Sequence, residues 1–260
     1  MMGKGNMAHN EGGDWIFLSD AHFTGESRDN QERLIRFLEM EGEDLAALVL
    51  LGDLFEFWFG FEGHIYEEYL PVLEQLRSLR QRGVRIKYLE GNHDFCLGPF
   101  FEDDLGVEVY EDEMEETLGG KKLYVAHGDR VNPRDYGYRL FRRIVKNRVS
   151  YALIRLGGPR LSMKIARWLS ARSRRRNRGG LPSHMPLFRD FAMNKFREGI
   201  DVVVLGHSHY PEEIVERVDG EEKAYYNVGD WMTFFSFLRY NPRSGFELCS
   251  YEDQPRILDS

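Results

Sequence analysis

Five short apolar runs, each ending in a polar cluster, set the terms for how this chain folds: WIFLS before Asp20, ALVLLG before Asp53, VRIKYLEG before Asn92, KLYVA before His127 and DVVVLG before His207. Runs with little polar alternation belong to strands covered on both faces. Between them, Asn30 to Glu41 and Glu67 to Arg82 carry helical spacing, with Leu70, Leu73, Leu76 and Leu79 at every third position and Gly83 as a stop. Strands alternating with helices give an α/β fold.

Two-residue turn signals add antiparallel pairs to that core. Gly119-Gly120 separates METL from KLYV, and Asp219-Gly220 separates EIVERV from KAYYNV. Thr233 to Tyr240 and Phe246 to Tyr251 read as a further strand pair around Asn241 to Gly245. The sheets are therefore expected to be mixed and more than one.

Charge is distributed very unevenly. From Arg139 to Arg178 there are 14 Lys and Arg and no acid, which leaves 21 basic against 43 acidic residues in the rest of a 260-residue chain of net charge −8. Asp135 to Leu156 and Pro159 to Leu169 have helical character, divided by Gly157-Gly158-Pro159. In the second, Leu161, Ile165, Trp168 and Leu169 share one face while Arg160, Lys164 and Arg167 share another. This is an amphipathic basic hairpin inserted between two strands, and SRRRNRGG from Ser173 to Gly180 reads as its flexible exit.

Several classes are excluded. The longest apolar run, Leu45 to Leu51, has seven residues, against the roughly 18 or more of a membrane-spanning helix. The N-terminal MMGKGNMAHNEGGD has neither an apolar core nor a small-residue cleavage site, so a cytoplasmic protein is expected. Cys96 and Cys249 are too few and too far apart for a disulfide framework or a Cys-x-x-Cys metal site, and both are expected to be reduced.

The chemistry sits where the strands end. Loops at the carboxyl ends of parallel strands meet at one edge of a sheet, and here they carry DAH (Asp20, His22), GD (Asp53), GNHD (Asn92, His93, Asp94), HGD (His127, Asp129) and GHSH (His207, His209). Alternate positions in DAH and GHSH would project from one side of an extended segment. Glycines before Asp53, Asn92 and His207 allow close backbone approach. Imidazole with carboxylate and amide oxygen suits Mn²⁺, Fe²⁺ or Zn²⁺, and the absence of thiolate argues against a closed structural zinc site. Seven donors exceed what one tetrahedral ion takes. Two ions sharing Asp53 would each have four protein ligands, an arrangement suited to in-line phosphoryl displacement. His9, His64 and His184 lack such company and receive no role, and Trp58 and Phe59 after GD, which could pack below the site, are left unassigned.

In this order and at these separations, the five clusters resemble the signature of the calcineurin-like metallophosphoesterases, spanning residues 20 to 209. The resemblance implies a sandwich of two mixed β-sheets flanked by helices, with a dinuclear site at one end. It implies one metal on Asp20, His22, Asp53 and His209 and a second on Asp53, Asn92, His127 and His207, with Asp53 and His93 as the catalytic pair. His93 would protonate the leaving oxygen or stabilise phosphoryl charge.

The segment HGDRVNPRDYGYRLFRR looks like that of the UDP-2,3-diacylglucosamine pyrophosphohydrolases, a lipid A family in which HGD is followed by a DxxY motif and a helical lid. Asp135 and Tyr138 match DxxY, and Ala171, Ser173 and Asn177 match a lid motif of the form A-x-S-x-x-x-N. At His93 the chain keeps the general phosphoesterase residue where that subgroup carries Arg. The resemblance implies cleavage of a UDP-linked diacyl sugar to UMP and 2,3-diacylglucosamine 1-phosphate. A core over residues 14–132 and 181–254, with an inserted basic lid over 133–180, is the expected organisation.

Physical chemistry gives the basic hairpin an independent meaning. A two-tailed glycolipid pyrophosphate needs an apolar surface for acyl chains and cations for phosphates, which makes Arg160, Lys164 and Arg167 expected substrate contacts, while the resemblance implies Asn92, His93, Asp135, Tyr138, Ser173 and Asn177 as the others. The same cations would attract an anionic leaflet such as the inner membrane, at about 1 kcal/mol per Lys or Arg. Two alternatives remain: a phosphodiesterase acting on nucleotides or nucleic acid, for which the block offers few stacking aromatics, and a non-catalytic scaffold, against which every ligand is retained.

Overall fold

A computed structural model describes residues 12–134, 136–176 and 185–251, without side chains at 138, 141, 148 and 166–176. The strands in chain order are β1 (Asp14–Leu18), β2 (Leu45–Leu50), β3 (Arg85–Leu89), β4 (Glu108–Tyr110), β5 (Glu113–Leu118) and β6 (Lys121–Ala126). After them come β7 (Val202–Leu205), β8 (Pro211–Val218), β9 (Glu221–Val228), β10 (Ser236–Asn241) and β11 (Gly245–Ser250). They form a six-stranded sheet in the order β11-β10-β1-β2-β3-β4 and a five-stranded sheet in the order β5-β6-β7-β9-β8. Both are mixed: β1 to β4 run parallel with β10 antiparallel, and β6, β7 and β9 run parallel between hairpin partners.

Apolar residues of both parities explain the layering. Phe17, Val49 and Leu89 face Val125, Val204 and Val228 across the gap between the sheets. Their neighbours Ile16, Leu48 and Ile86 face outward onto α1 (Arg28–Glu41) and α2 (Leu70–Gln81), meeting Leu34, Phe37, Leu73 and Leu76. Beyond the second sheet, Val203 and Leu205 pack on Phe188, Ala192 and Phe196 of a helix (Met185–Arg197) that the sequence periodicity leaves unread. The strands are thus covered on both faces, as their composition requires. Parallel register sets Leu18 beside Leu50 and Leu50 beside Tyr88, and Ala126 beside Leu205. The five polar clusters consequently leave the sheets at one edge of the sandwich.

The basic segment divides differently from the expected hairpin. The helix expected over Asp135 to Leu156 is two: α3 (Tyr136–Val145) ends before Asn147, whose Oδ1 accepts the N–H groups of Val149 and Ser150 at 2.9 and 3.0 Å and so starts α4 (Arg148–Arg176). Gly158, at φ 73°, interrupts α4 where the Gly-Gly-Pro signal falls. With α3 and α4 in place, the Met185–Arg197 helix becomes α5. Ser162 and Met163 are buried, whereas Leu161 and Ile165 are half exposed, so the latter are not ordinary core. The last strand pair begins at Ser236 rather than Thr233, because Asp230 Oδ1 accepts the N–H groups of Met232, Thr233 and Phe234 and folds that stretch into a turn. Both cysteines are free thiols. Among the described residues no helix is long and apolar enough to cross a membrane.

Candidate metal centre

The strand ends bring the histidine and aspartate clusters together. His22 Nε2 lies 3.7 Å from both Asp20 Oδ1 and Asp53 Oδ2, and His209 Nε2 lies 3.4 Å from Asp20 Oδ1. On the other side of Asp53, His127 Nε2 lies 3.4 Å from Oδ2, 3.1 Å from Asn92 Oδ1 and 3.1 Å from His207 Nδ1. Three overlapping donor groups therefore converge, one on Asp20, His22 and His209, one on Asp53, His127 and His207 and one between them on His22, Asp53 and His93, with the Asp53 carboxylate facing both sides. The seven residues singled out by sequence are gathered in one place.

Local backbone conformation does much of this work. Asp20 (φ 54°), His22 (φ 44°), Asp53 (φ 54°), His207 (φ 64°) and His209 (φ 58°) all lie in the left-handed region. DAH and GHSH are thus tight turns, not the extended segments expected from their alternation, and their paired side chains reach the site by turning the chain twice. The His22 and His209 rings stack with centroids 5.0 Å apart. Left-handed non-glycine residues cost about 1 kcal/mol or more apiece and gather at functional sites. Gly91 has the opposite duty: a Cβ there would lie 2.6 Å from the Asp53 nitrogen and collide with its carboxylate.

Three of the imidazoles turn one nitrogen inward and the other to the fold. His127 Nδ1 lies 2.7 Å from the Leu51 carbonyl, which can only accept, so Nδ1 carries the proton and Nε2 offers its lone pair to the site. His22 Nδ1 faces Glu56 Oε2 at 3.6 Å, and His209 Nδ1 faces Asp230 Oδ2 at 3.7 Å. Asp20 Oδ2 accepts Ser19 Oγ at 2.5 Å and the His207 N–H at 2.7 Å, leaving Oδ1 for the centre. Asp20 Oδ1 and His22 Nε2 are buried and have no hydrogen-bond partner among the described residues. Orphaned polar atoms of this kind would be costly without a ligand, and a divalent cation satisfies both the lone pairs and the charge. The donor set fits.

Electrostatics agrees with that fit. Burial alone would raise the Asp20 carboxyl, but His209, His22 and His127 outweigh it and hold it below the usual range. Burial likewise opposes ionisation of Asp53, and His127 and His93 pull it well down. Burial, reinforced by His127, lowers His207 to about 4. The two candidate ligand carboxylates are thus held ionised, whereas burial and the charge of Asp53 push the neighbouring Asp94 up to about 7.

His93 stands beside the donors. Its N–H donates to Asp53 Oδ1 at 2.9 Å, and Nδ1 donates to the Glu56 carbonyl at 2.9 Å, which directs Nε2 away from the backbone. Three supporting residues escaped the sequence reading. Asp94 accepts the N–H groups of Asp53 and Leu54 at 2.8 and 2.7 Å, Glu56 backs His22, and Asp230 backs His209. Only Asp94 carried a signal, as the last residue of GNHD. His64 packs edge-on against Tyr66, 4.9 Å away, and takes no part. Trp58 and Phe59 are fully buried, with Trp58 Nε1 donating to the Leu97 carbonyl at 3.0 Å.

The expected substrate contacts fare unevenly. Arg160 and Lys164 are exposed on α4. Asp135 and Asn177 lie outside the described residues, as do His9 and His184, and the side chains of Tyr138, Arg167, Trp168 and Ser173 are likewise outside them. The described part of the segment is anchored to the core by ion pairs. Arg142 pairs with Asp112 and, at 3.3 Å, with Asp129 of HGD, while Lys146 reaches Glu90 at 2.6 Å.

A two-sheet sandwich with carboxylates and imidazoles converging at its strand ends defines a metal-dependent phosphoesterase, an enzyme that uses divalent cations. Residues 15–211 match the calcineurin-like phosphoesterase family, and the chain belongs to it. Among curated relatives, the UDP-2,3-diacylglucosamine hydrolase of Pseudomonas paraeruginosa is 30% identical over 83% of this chain and 90% of its own length. That of Aeromonas salmonicida is 31% identical over 87% and 89%, and that of Vibrio cholerae is 29% identical over 90% and 96%.

Proposed function

We propose that the protein hydrolyses the pyrophosphate bond of UDP-2,3-diacylglucosamine, releasing UMP and 2,3-diacylglucosamine 1-phosphate, a step of lipid A biosynthesis. The observation that carries this reading is the attachment of basic helices to the metal loop itself, through Arg142 and Asp129, two residues after His127. Relatives with that name over nearly their whole length support it.

Asp20, His22, Asp53 and His209 would hold one divalent ion and Asp53, Asn92, His127 and His207 a second, with Mn²⁺ the preferred occupant and Fe²⁺ or Zn²⁺ accommodated by the same donors. Such ions supply charge stabilisation for the phosphoryl oxygens and an activated attacking water. The chain's own contribution is orientation and proton delivery. With Nδ1 donating to the Glu56 carbonyl, His93 as an imidazolium has its Nε2 proton free for the leaving oxygen or for a phosphoryl oxygen. Residues 133–180 would act as the lid. Leu140, Ile144, Leu153, Leu156, Leu161 and Ile165 are exposed there among arginines, a surface suited to acyl chains and to the anionic inner leaflet that a cytoplasmic, membrane-peripheral enzyme would meet.

One comparison tests this. The protein is stripped of metal, Mn²⁺ is restored, and turnover of UDP-2,3-diacylglucosamine, an aryl phosphodiester and single-stranded DNA is measured, with Asp53→Ala as control. The glycolipid is expected to be the best substrate and Asp53→Ala inactive. Turnover of the aryl ester or of DNA alone overturns the substrate, and activity in Asp53→Ala overturns the shared carboxylate. Neutralising Arg160, Lys164 and Arg167 is expected to reduce glycolipid turnover far more than aryl ester hydrolysis, and equal losses would make the block an ordinary solvated face.

A further inference from the structure

Among the described side chains the exposed aromatic ones are Tyr136 on α3, and Tyr210 and Phe234 at 37% and 38%. The last two touch, with ring centroids 5.3 Å apart and planes 78° from parallel. Both are fixed to the metal centre by short links. Tyr210 directly follows His209, and its N–H donates to Ser208 Oγ at 3.1 Å. Phe234 closes the turn held by Asp230, donating its N–H to Oδ1 at 2.9 Å, while Oδ2 of the same carboxylate faces His209 Nδ1 at 3.7 Å.

Their position in the sheets is as informative as their exposure. The basic helices are tied to Glu90 after β3, Asp112 after β4 and Asp129 after β6. Tyr210 precedes β8, and Phe234 lies between β9 and β10. Sheet order puts β3, β4, β5 and β6 on one flank and β8, β9 and β10 on the other, with β1, β2 and β7 and their ligand loops between. Among the described side chains the centre therefore has a basic flank whose exposed apolar groups are mainly aliphatic, with Tyr136 its one exposed ring, and an opposite flank on which two exposed rings meet.

A pyrophosphate with unlike substituents needs two such flanks. Exposed leucines and isoleucines suit acyl chains, whereas two rings at right angles make a step on which a planar ring stacks against one face and abuts the other's edge. We propose that Tyr210 and Phe234 form the subsite for the aromatic base of the departing nucleotide, holding it by stacking at the His209 side of the centre. This rests on the reading above that the substrate is a nucleotide-linked pyrophosphate.

The test measures affinities of the Mn²⁺-loaded protein for UMP and for ribose 5-phosphate by calorimetry, since the two share a sugar phosphate and differ in the base. Stacking of one base predicts UMP the tighter ligand by about 5- to 100-fold. In the double variant Tyr210→Ala, Phe234→Ala that ratio is expected to fall close to 1, and Tyr210→Phe, which keeps the ring, is expected to retain it. Both rings are more than a third exposed, and an unfolding midpoint of the double variant close to wild type is the control that its fold is intact. A wild-type ratio near 1, or a ratio unchanged in the double variant, overturns the subsite. Turnover of UDP-2,3-diacylglucosamine by the wild type, measured alongside, separates the two claims: turnover with a ratio near 1 rejects the subsite and keeps the glycolipid reading, and no turnover with the ratio intact rejects that reading and keeps the subsite.

Discussion

Asp94 is no metal ligand by position, yet its replacement is expected to harm both folding and metal binding. Its Oδ1 accepts the N–H groups of Asp53 at 2.8 Å and Gly91 at 3.1 Å, and its Oδ2 accepts those of Leu54 at 2.7 Å and Phe55 at 3.3 Å together with the Tyr88 hydroxyl at 2.5 Å. Asp94→Asn changes one acceptor oxygen into a donor, so either the Asp53 N–H or those of Leu54 and Phe55 lose their partner, the Gly91 N–H keeping the Asp94 carbonyl at 3.2 Å. At about 1–3 kcal/mol per orphaned donor, the variant should lose about 1–6 kcal/mol, a large share of the roughly 5–15 kcal/mol that holds a domain together. The same bonds keep Asp53 at φ 54°, so metal affinity should fall about 10- to 100-fold, as for other residues that orient ligands. Tyr88→Phe removes one donor and leaves four, and about 1–2 kcal/mol is expected. Guanidinium unfolding gives the first quantity and chelator competition the second. An Asp94→Asn protein with wild-type midpoint and wild-type metal retention would refute the account.

Three further outcomes are expected. Burial alone would lower His127, but the charge of Asp53 outweighs it and raises the imidazole to about 10. After chelation His127 therefore carries a proton that metal must displace, as does His22, where burial is outweighed by Asp20 and Glu56, which raise it well above its ordinary value, and apparent affinity should rise at least about tenfold per pH unit between pH 7 and 9. The sign is opposite for the stripped fold, whose contribution from His127 is complete below pH 6.5 and lost as pH rises through about 10; a flat affinity profile from competition at pH 7 and 8 would contradict this. Gly206→Ala would set a Cβ 2.8 Å from Ser19 Cβ and 2.9 Å from Asp20 Oδ2, and metal content is expected to drop with about 1–3 kcal/mol of stability, measured by elemental analysis and unfolding. Lys146→Met leaves Glu90, with a side chain only 5% exposed, short of its cation. Breaking a buried pair costs about 3 kcal/mol or more, but α3 can detach locally, so faster proteolysis within residues 136–165 with little change in the global midpoint is expected.

What was legible in the sequence follows from what chemistry and burial each demand. Double-faced burial leaves a compositional mark, and β1, β2, β3, β6 and β7 all fall on the apolar runs. β4, three residues long at a sheet edge, leaves none, and α5 hides behind a run of mixed character beginning at Met185. The candidate ligands stood out because His, Asp and Asn recur at five strand ends, a concentration of donors that packing does not ask for. The boundary at Asn147 was missed because a capping side chain outweighs the helical spacing around it. Asp94, Glu56 and Asp230 were missed because a carboxylate that accepts backbone N–H groups or backs an imidazole looks, in sequence, like any other acid.

Those unremarkable residues account for how the site can exist. Five candidate ligands in left-handed conformation represent about 5 kcal/mol at the low end of the usual cost, comparable to the net stability of a whole domain. Asp94 offsets it by five accepted bonds around Asp53, Ser19 by fixing Asp20 Oδ2, and Asp230 by folding the turn behind His209. The basic segment obeys the same economy of support. Arg142 and Lys146 do not wait for an anion but neutralise Asp112, Asp129 and Glu90 at the rim, which ties the position of α3 to the loop that carries His127. The exposed cations farther along, Arg155, Arg160 and Lys164 among the described side chains, are those left for the proposed phosphorylated ligand, so on that proposal the pull of the segment on substrate and its attachment to the core would reside in different residues and could be altered separately.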